Sequence, residues 1–540
     1  MISEAPTQNP RLERQAAWVV AWRVIGIVIT AAANILAVCL LDSPANFGRY
    51  LMLTTVIALG SILAMGGMNE AGLRFISESL GLARERLART YLRRIALVTL
   101  GNSAVVALVI AVGLMAFQLV TGDLSDPVAV IAIATAAVVA LSWQQVAAEM
   151  LRGYGDLRLA SVFSGGQTGG PLSNLLFLAA LGLANFLTTS LSTSMALGLM
   201  AASVWITMPV ALFALWKISH AHRARAEVAE PAHLSREQGR QLLAAAGSLL
   251  VIQLLTTATY QLDIWIGGAL LTANDLGFYG VAKRCQLLGQ LPVQMAMMTV
   301  VSAVPRMRVQ NRIADLEAVV RRAATLAAIP GVCALSVLAL FPSLVLHILF
   351  GDAYTGAAHV ILPLVVGQLA HILFGNPAYV LTMTGHHPLV LRINVLSTLL
   401  LVIAGSLGAW LAGPFGLAAG SAASMVVQNG LLWWFSHKRL GIWTHVRWPS
   451  RQLGEQVFNS LAATWPQRRR PIETPELAET QERAETQEPA GDESLEEPLE
   501  EPVPVAAKVV RPNLLTRLWW LHPGWAFALS VGITIVAAWW

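Results

Sequence analysis

The chain is 540 residues long, 56% hydrophobic and 12% charged, with a mean hydropathy of +0.61. Apolar runs of about 20 residues, enough to cross a bilayer as a helix, recur along it and exclude a soluble globular protein. The strand-length alternation of an outer-membrane barrel is missing, so the spans are read as helices. The net charge of +5 and pI near 9.3 come from cations in loops beside the spans, as membrane topology requires, so no nucleic-acid partner is expected.

The N-terminal stretch MISEAPTQNPRLERQ is polar, with no small-residue cleavage site before the first apolar run. That run is read as a retained helix. Spans are predicted at 17–41, 48–73, 92–120, 127–150, 158–184, 190–218, 241–272, 276–304, 322–350, 357–383, 389–412, 414–437 and 518–540. Basic segments follow spans two, four, six, eight and twelve, beginning with Arg84, Arg86, Arg89, Arg93 and Arg94. The opposite loops carry Asp42, Asp123, Asp126, Asp275 and Asp352. This asymmetry places the N-terminus in the cytoplasm.

The two halves repeat. FGRY (47–50) opens span two and LGFY (276–279) opens span eight; Arg93 and Arg94 return as Arg321 and Arg322; RGYG (152–155) returns as TGHH (384–387). An even number of spans separates equivalents, so the repeats are parallel, an arrangement that places a substrate site between halves. The fold expected is an all-α polytopic transmembrane bundle of two six-helix repeats, 1–218 and 241–440, joined by a cytoplasmic linker, 219–240. Residues 441–517 contain a Pro- and Glu-rich segment with a near repeat of AETQE and read as a disordered acidic tether. An extra helix, 518–540, closes the chain.

Cys39, Cys285 and Cys333 lie in or beside separate spans without C-x-x-C spacing, which argues against a disulfide framework, and no metal or cofactor is called for. The polar residues inside the spans are more informative, because an ionisable group at membrane depth faces a bundle interior or a water-filled path. In YQLDIWIGG, Asp263 is such a group. On span eight, Lys283, Gln286 or Leu287, Gln290 and Gln294 recur at three- and four-residue intervals and predict one long polar face. Asp263 and Arg284 fall at similar depth, so Asp263 is expected to pair with Lys283 or Arg284, leaving one cation in excess. Such an excess beside amides such as Gln253 suits an anionic, hydroxyl-rich ligand; an inert ion pair that glues helices is the alternative.

Arg23, near the inner end of span one, either lines the cavity or snorkels to the surface. Glu70 either belongs to a coupling site or pairs along its helix with Arg74, and Glu149 with Arg152. His371 is a further titratable group on span ten. In SGGQTGGPLSN (164–174), Gly165, Gly166, Gly169, Gly170 and Pro171 predict a kinked or hinged helix.

The frame FGRYLMLTTVIALGSILAMGGMNEAGLRFISES, followed by DIWIGGALLTANDLGFYGVAKRCQLLGQLPVQMAMMTVVSAVPRM, ILFGDAYTGAAHVILPLVVGQL and GPFGLAAGSAASMV, resembles the oligosaccharide flippases of the multidrug/oligosaccharidyl-lipid/polysaccharide exporter superfamily over roughly residues 15–445. The resemblance implies two bundles in a V around a cationic cavity in a bacterial cytoplasmic membrane. It implies that a polyprenyl-diphosphate-linked oligosaccharide moves to the outer leaflet by alternating access, for exported or surface polysaccharide. Arg284 is carried over through GFYGVAKR, and Arg23 as a first-helix cation. Lys283 and Arg284 are expected to hold the diphosphate and Gln253, Gln286, Gln290 and Gln294 the sugar. Asp263, with Glu70, is expected to couple transport to a proton or sodium gradient. Expected partners are the lipid-linked glycan, membrane lipids and, through the acidic tail, other polysaccharide-assembly proteins. A multidrug extruder of the same superfamily and a membrane scaffold are the rival readings.

Overall fold

The computed structural model describes residues 10–41, 43–122, 126–165, 168–188, 190–223, 235–293 and 313–446, and these are almost wholly helical, with no β-strand among them. The first half holds α1 (Pro10–Leu40), α2 (Pro44–Met65), α3 (Met68–Gly81), α4 (Glu85–Thr121), α5 (Pro127–Gly153), α6 (Leu157–Phe163), α7 (Pro171–Leu187) and α8 (Thr193–Arg223). The second holds α9 (Arg236–Leu270), α10 (Ala273–Leu288), α11 (Ile313–Leu340), α12 (Pro342–Phe350), a short 3-10 helix (Asp352–Ala357), α13 (Ala358–Leu373), α14 (Pro377–Met383) and α15 (His387–Leu440). Eight described helices are long and apolar enough to cross a membrane. The chain is a multi-pass helical membrane protein. The last predicted span, 518–540, and the acidic tether beyond Val446 lie outside the described residues.

Local chemistry sets where the helices start and stop. Ser43 caps α2 by accepting from the Asn46 N–H at 3.3 Å, and Pro44 takes the first turn, where no N–H is needed. Ser235 and Gln238 form a reciprocal capping box on α9, and Thr272 caps α10. The predicted span 48–73 is broken: Gly66 and Gly67, with φ of +59° and +73°, end α2 and start α3. The stretch predicted as a hinged helix over 158–184 is also two helices. Its turn is so tight that a Cβ at Gly165 or Gly170 would overlap the backbone of Gly169 or Phe163, and Pro171 opens α7. Gly166 lies outside the described residues. Spans eleven and twelve run on as α15, bent where Ala412 and Gly413 leave helical geometry just before Pro414.

In a bilayer helices associate by close packing and by satisfying buried polar groups, because lipid tails are as apolar as leucine. Within the first half Gln144 (α5) donates to Ser173 (α7) at 2.7 Å, and Ser173 shares a hydrogen with Thr207 (α8) at 2.7 Å. Between halves, α2 packs on α10. Their glycines face one another: a Cβ at Gly48 would overlap the Ala273 carbonyl, and one at Gly277 the Pro44 carbonyl. These are the glycines of the repeated FGRY and LGFY. At the other end of α2, Gly67 lies against the Ala246 carbonyl of α9.

Past α15, residues 441–446, expected to begin the tether, fold back under the second half. Thr444 donates to the Phe374 carbonyl at 2.9 Å, the Val446 N–H to Leu373 at 3.0 Å, and Trp443 stacks on His437 with ring centroids 3.6 Å apart. His445 sits between two donors, Trp433 Nε1 at 3.1 Å from its Nδ1 and Arg321 Nη2 at 3.1 Å from its Nε2. A ring so placed is worst off when protonated, and burial together with Arg321 holds its pKa below the ordinary histidine value, Glu317 opposing.

Two outcomes follow from these contacts. A folded-state pKa below the unfolded one means that this contribution is present above the ordinary histidine range and is lost as the pH falls through the folded value. Hydrogen exchange over 441–446, corrected for intrinsic rates, should therefore accelerate on acidification, and His445→Phe should abolish that dependence. Gly67→Ala should lower thermal stability in detergent by at least ~1–2 kcal/mol, the cost of a left-handed alanine, before any shift of α9 is counted.

Candidate substrate-binding site

Residues 283 and 284 are neighbours in sequence but about 100° apart around a helix, and this divides the predicted charge cluster. Tyr279, Lys283 and Gln286 share the face of α10 that looks into the second half. Gly277, Gly280 and Arg284 share the face toward the first.

On the inner face the ion pair is complete. Lys283 Nζ donates to both carboxylate oxygens of Asp263 at 2.6 and 2.7 Å and to the Tyr260 carbonyl at 2.8 Å, while Tyr279 Oη donates to Asp263 at 2.5 Å. The side chains are 16% and 7% exposed, so the carboxylate is compensated within its own half. Of the two cations expected to meet Asp263, Lys283 does so.

Arg284 is elsewhere. It donates to the Asn34 carbonyl of α1 at 3.1 Å, and its guanidinium carbon lies 4.7 Å from the centre of the Phe47 ring on α2. No carboxylate pairs with it among the described residues. It lines a cavity of about 630 Å³ walled by α1, α6 and α7 on one side and α10 and α12 on the other. Thr30, Asn34, Asn174 and Gln290 supply polar groups to that wall. Asn174 is held by donating to Thr30 Oγ1 at 2.9 Å and accepting from Thr168 at 2.8 Å. Farther along the same cavity Arg152 is paired with Glu149 at 2.9 Å. Net positive charge therefore rests on Arg284, among amides and hydroxyls.

The row of glutamines predicted to share one face is divided too. Gln286 is buried and donates to Gln368 at 3.4 Å inside the second half, away from the cavity, because it follows Lys283 around α10 and not Arg284. Gln290 reaches the cavity because α10 ends at Leu288 and the chain turns after it. Gln294 lies outside the described residues, as does the side chain of Arg23 on α1. Gln253, expected at the sugar, instead donates to Glu70 at 3.0 Å, across from α9 to α3. Glu70 is thus joined to the second half, while Arg74 pairs with Glu78 at 2.7 Å. Gly165, Gly169 and Pro171 border the cavity. His371 is held by Asn429 at 3.1 Å. Asn34, Thr30 and Asn174 were not anticipated. Each is a polar residue in an apolar run, the signal that singled out Asp263. Among the described residues no cluster of His, Cys, Asp or Glu could hold a metal.

A mainly apolar groove of about 900 Å³ lies between α2, α4 and α9, with Arg49 and Asn102 among the residues lining it.

No protein-family model matches the sequence, and no curated protein sequence matches it either. Solved structures do match. An inward-facing multidrug resistance MATE family transporter of the MOP superfamily superposes with a TM-score of 0.57 at 16% identity, over 77% of this chain and 94% of that one. The lipid II flippase MurJ in an inward closed conformation gives a TM-score of 0.57 at 10% identity, over 83% and 93%. A variant of the Vibrio cholerae MATE transporter VcmN gives 0.52 at 16% identity, over 80% and 98%. The chain shares the fold of these solved structures. At these identities the likeness concerns the fold alone.

The burial of the ion pair sets the cost of losing either member. Asp263→Asn strands a buried ammonium and should destabilise the protein by about 3–5 kcal/mol. Asp263→Asn combined with Lys283→Met should recover most of that loss. Thermal melts of the three purified chains in one detergent decide it.

Proposed function

We propose that this protein is a transporter, not an enzyme, that flips a polyprenyl-diphosphate-linked oligosaccharide from the cytoplasmic to the outer leaflet of a bacterial inner membrane by alternating access, for exopolysaccharide or surface polysaccharide. The observation that carries the proposal is Arg284: a cation without a carboxylate partner among the described residues, lining a cavity between the halves with amides and hydroxyls around it. A guanidinium binds phosphate oxygens through paired, charge-assisted hydrogen bonds, stronger than those it makes to a neutral carbonyl. Asn34, Thr30, Asn174 and Gln290 offer both donors and acceptors to sugar hydroxyls. Fold neighbours that include the lipid II flippase MurJ support the reading.

In this reading Arg284 takes the diphosphate and Lys283 does not, since Lys283 already satisfies Asp263. Coupling to a proton or sodium gradient enters through α10, which carries both cations: movement of α10 toward the ligand strains the Asp263 pair and opens its carboxylate to a proton.

The fold neighbours also include multidrug transporters, and extrusion of drugs is the second reading. A cationic drug meets net positive charge at Arg284, which disfavours it by simple repulsion.

Leaflet-resolved accessibility of a lipid-diphosphate oligosaccharide in proteoliposomes tests the proposal. The intact chain should translocate it. Arg284→Ala, correctly inserted, should lose at least about tenfold, the effect of removing a hydrogen bond to a charged group. Arg284→Lys should retain part. Equal translocation by the intact chain and Arg284→Ala removes the site from the mechanism. Efflux of organic cations with no movement of the glycan lipid establishes the drug reading.

A further inference from the structure

Arg284 does more than line the cavity; it belongs to a set of contacts at the end of the cavity beside Leu349 and Phe350, the outer end in the orientation that the loop charges predict. Three bonds tie α1 to the second half there. Arg284 donates to the Asn34 carbonyl at 3.1 Å, Tyr354 Oη to the Val38 carbonyl at 3.3 Å, and Cys39 Sγ to the Leu349 carbonyl at 3.2 Å. The last two acceptors and donors sit on opposite sides of the same seam: Val38 and Cys39 on α1, Leu349 at the end of α12, Tyr354 on the 3-10 helix that follows.

Between these bonds lies an aromatic layer. Phe47 of α2 meets Tyr354 edge-on with centroids 6.3 Å apart, and Phe350 packs against Tyr354 at 6.2 Å. Phe47 and Tyr354 are both almost fully buried. Arg284 lies against the Phe47 ring at 4.7 Å. The guanidinium is thus bound to one wall of the closure, stacked on the middle of it, and exposed to the cavity on its other side.

We infer that Tyr354 is a positioning residue that couples occupancy of the cavity to its outer closure: an anion that engages Arg284 draws the guanidinium off the Asn34 carbonyl and the Phe47 ring, and the closure then rests on Tyr354 and Cys39. The physical ground is a competition. Arg284 now interacts with a neutral carbonyl and a ring face, both weaker partners than a phosphate oxygen. Loss of that contact removes one of three bonds across the seam and the cation from the ring that Tyr354 packs on. The ligand is a phosphate-class anion on a lipid. The inference rests on the lipid-diphosphate reading above, and it adds a residue outside the binding set and a direction of response.

The test uses the full chain in nanodiscs, with Leu349→Cys as reporter, Cys39→Ser to keep a donor to the residue 349 carbonyl, and Cys285→Ala and Cys333→Ala, labelled from the aqueous phase by a membrane-impermeant maleimide. Polyprenyl diphosphate is the probe, and its binding is measured on the same samples. Without probe, Tyr354→Phe should label about three- to tenfold faster than the parent, the effect of losing one neutral hydrogen bond across the closure, and it should bind probe no more weakly than the parent, because the coupling is reciprocal. With saturating probe the parent should accelerate and Arg284→Ala should not. Phe47→Leu, which keeps an apolar side chain but removes the ring, should also label faster and respond less to probe. A Tyr354→Phe chain that labels like the parent overturns the inference. Probe that binds at Arg284 without changing the labelling rate overturns it while leaving the substrate reading intact. Probe that does not bind the parent overturns both.

Discussion

The crossing of α2 and α10 is the constraint on which the rest depends. At Gly48 and Gly277 the two helices approach until each glycine lies against the other's backbone, leaving no room for a Cβ on either. In lipid, where burying an apolar side chain against another helix gains little over burying it in acyl chains, such close approach is a principal source of helix association. It also sets geometry. With the backbones this close, Phe47 of α2 is brought beneath Arg284 of α10, and the face of α10 that carries Gly277, Gly280 and Arg284 must look into the first half.

That orientation separates two neighbouring cations into different environments. Lys283 turns into the second half, where Asp263, Tyr279 and the Tyr260 carbonyl surround it. A buried pair of this kind adds little net stability over an apolar replacement, yet becomes costly when one member is lost. Arg284 turns to the cavity, where the nearby groups are a carbonyl and aromatic rings. One helix therefore presents a neutralised charge to its own half and an available charge to the space between halves.

The polar groups on the first-half side follow the same economy of satisfaction. Gln144, Ser173 and Thr207 answer one another within the first half, and Asn174, held by Thr30 and Thr168, does so at the cavity wall. The glycine-rich turn between α6 and α7 brings Asn174 to α1. The Gln253–Glu70 bond and the Gly67–Ala246 approach join α9 to the first half. The two halves thus touch on one seam through glycine and amide contacts, and enclose the cavity beside the other.

What the sequence determined by itself is the part governed by local and one-dimensional rules. Apolar runs of bilayer length specify helices, whereas span 48–73, expected to be continuous, is broken at Gly66 and Gly67, and 158–184, expected to be one hinged helix, is two helices that part before Pro171. The presence of a cationic, amide-bearing segment around Lys283 and Arg284 was equally legible, because ionisable residues in an apolar run are costly wherever they point. Which of those residues faces which space was decided only by tertiary structure. Helical periodicity relates Lys283, Gln286 and Gln290 to one another, but it does not say that α10 ends at Leu288, so that Gln286 and Gln290 part company. Nor does it say that Gln253 finds Glu70, because a hydrogen bond between residues 183 positions apart depends on how whole helices cross. The cavity chemistry of Arg284 arises in the same way: its contacts, Asn34 and Phe47, come from two other helices, and only the packing of those helices brings them to one place.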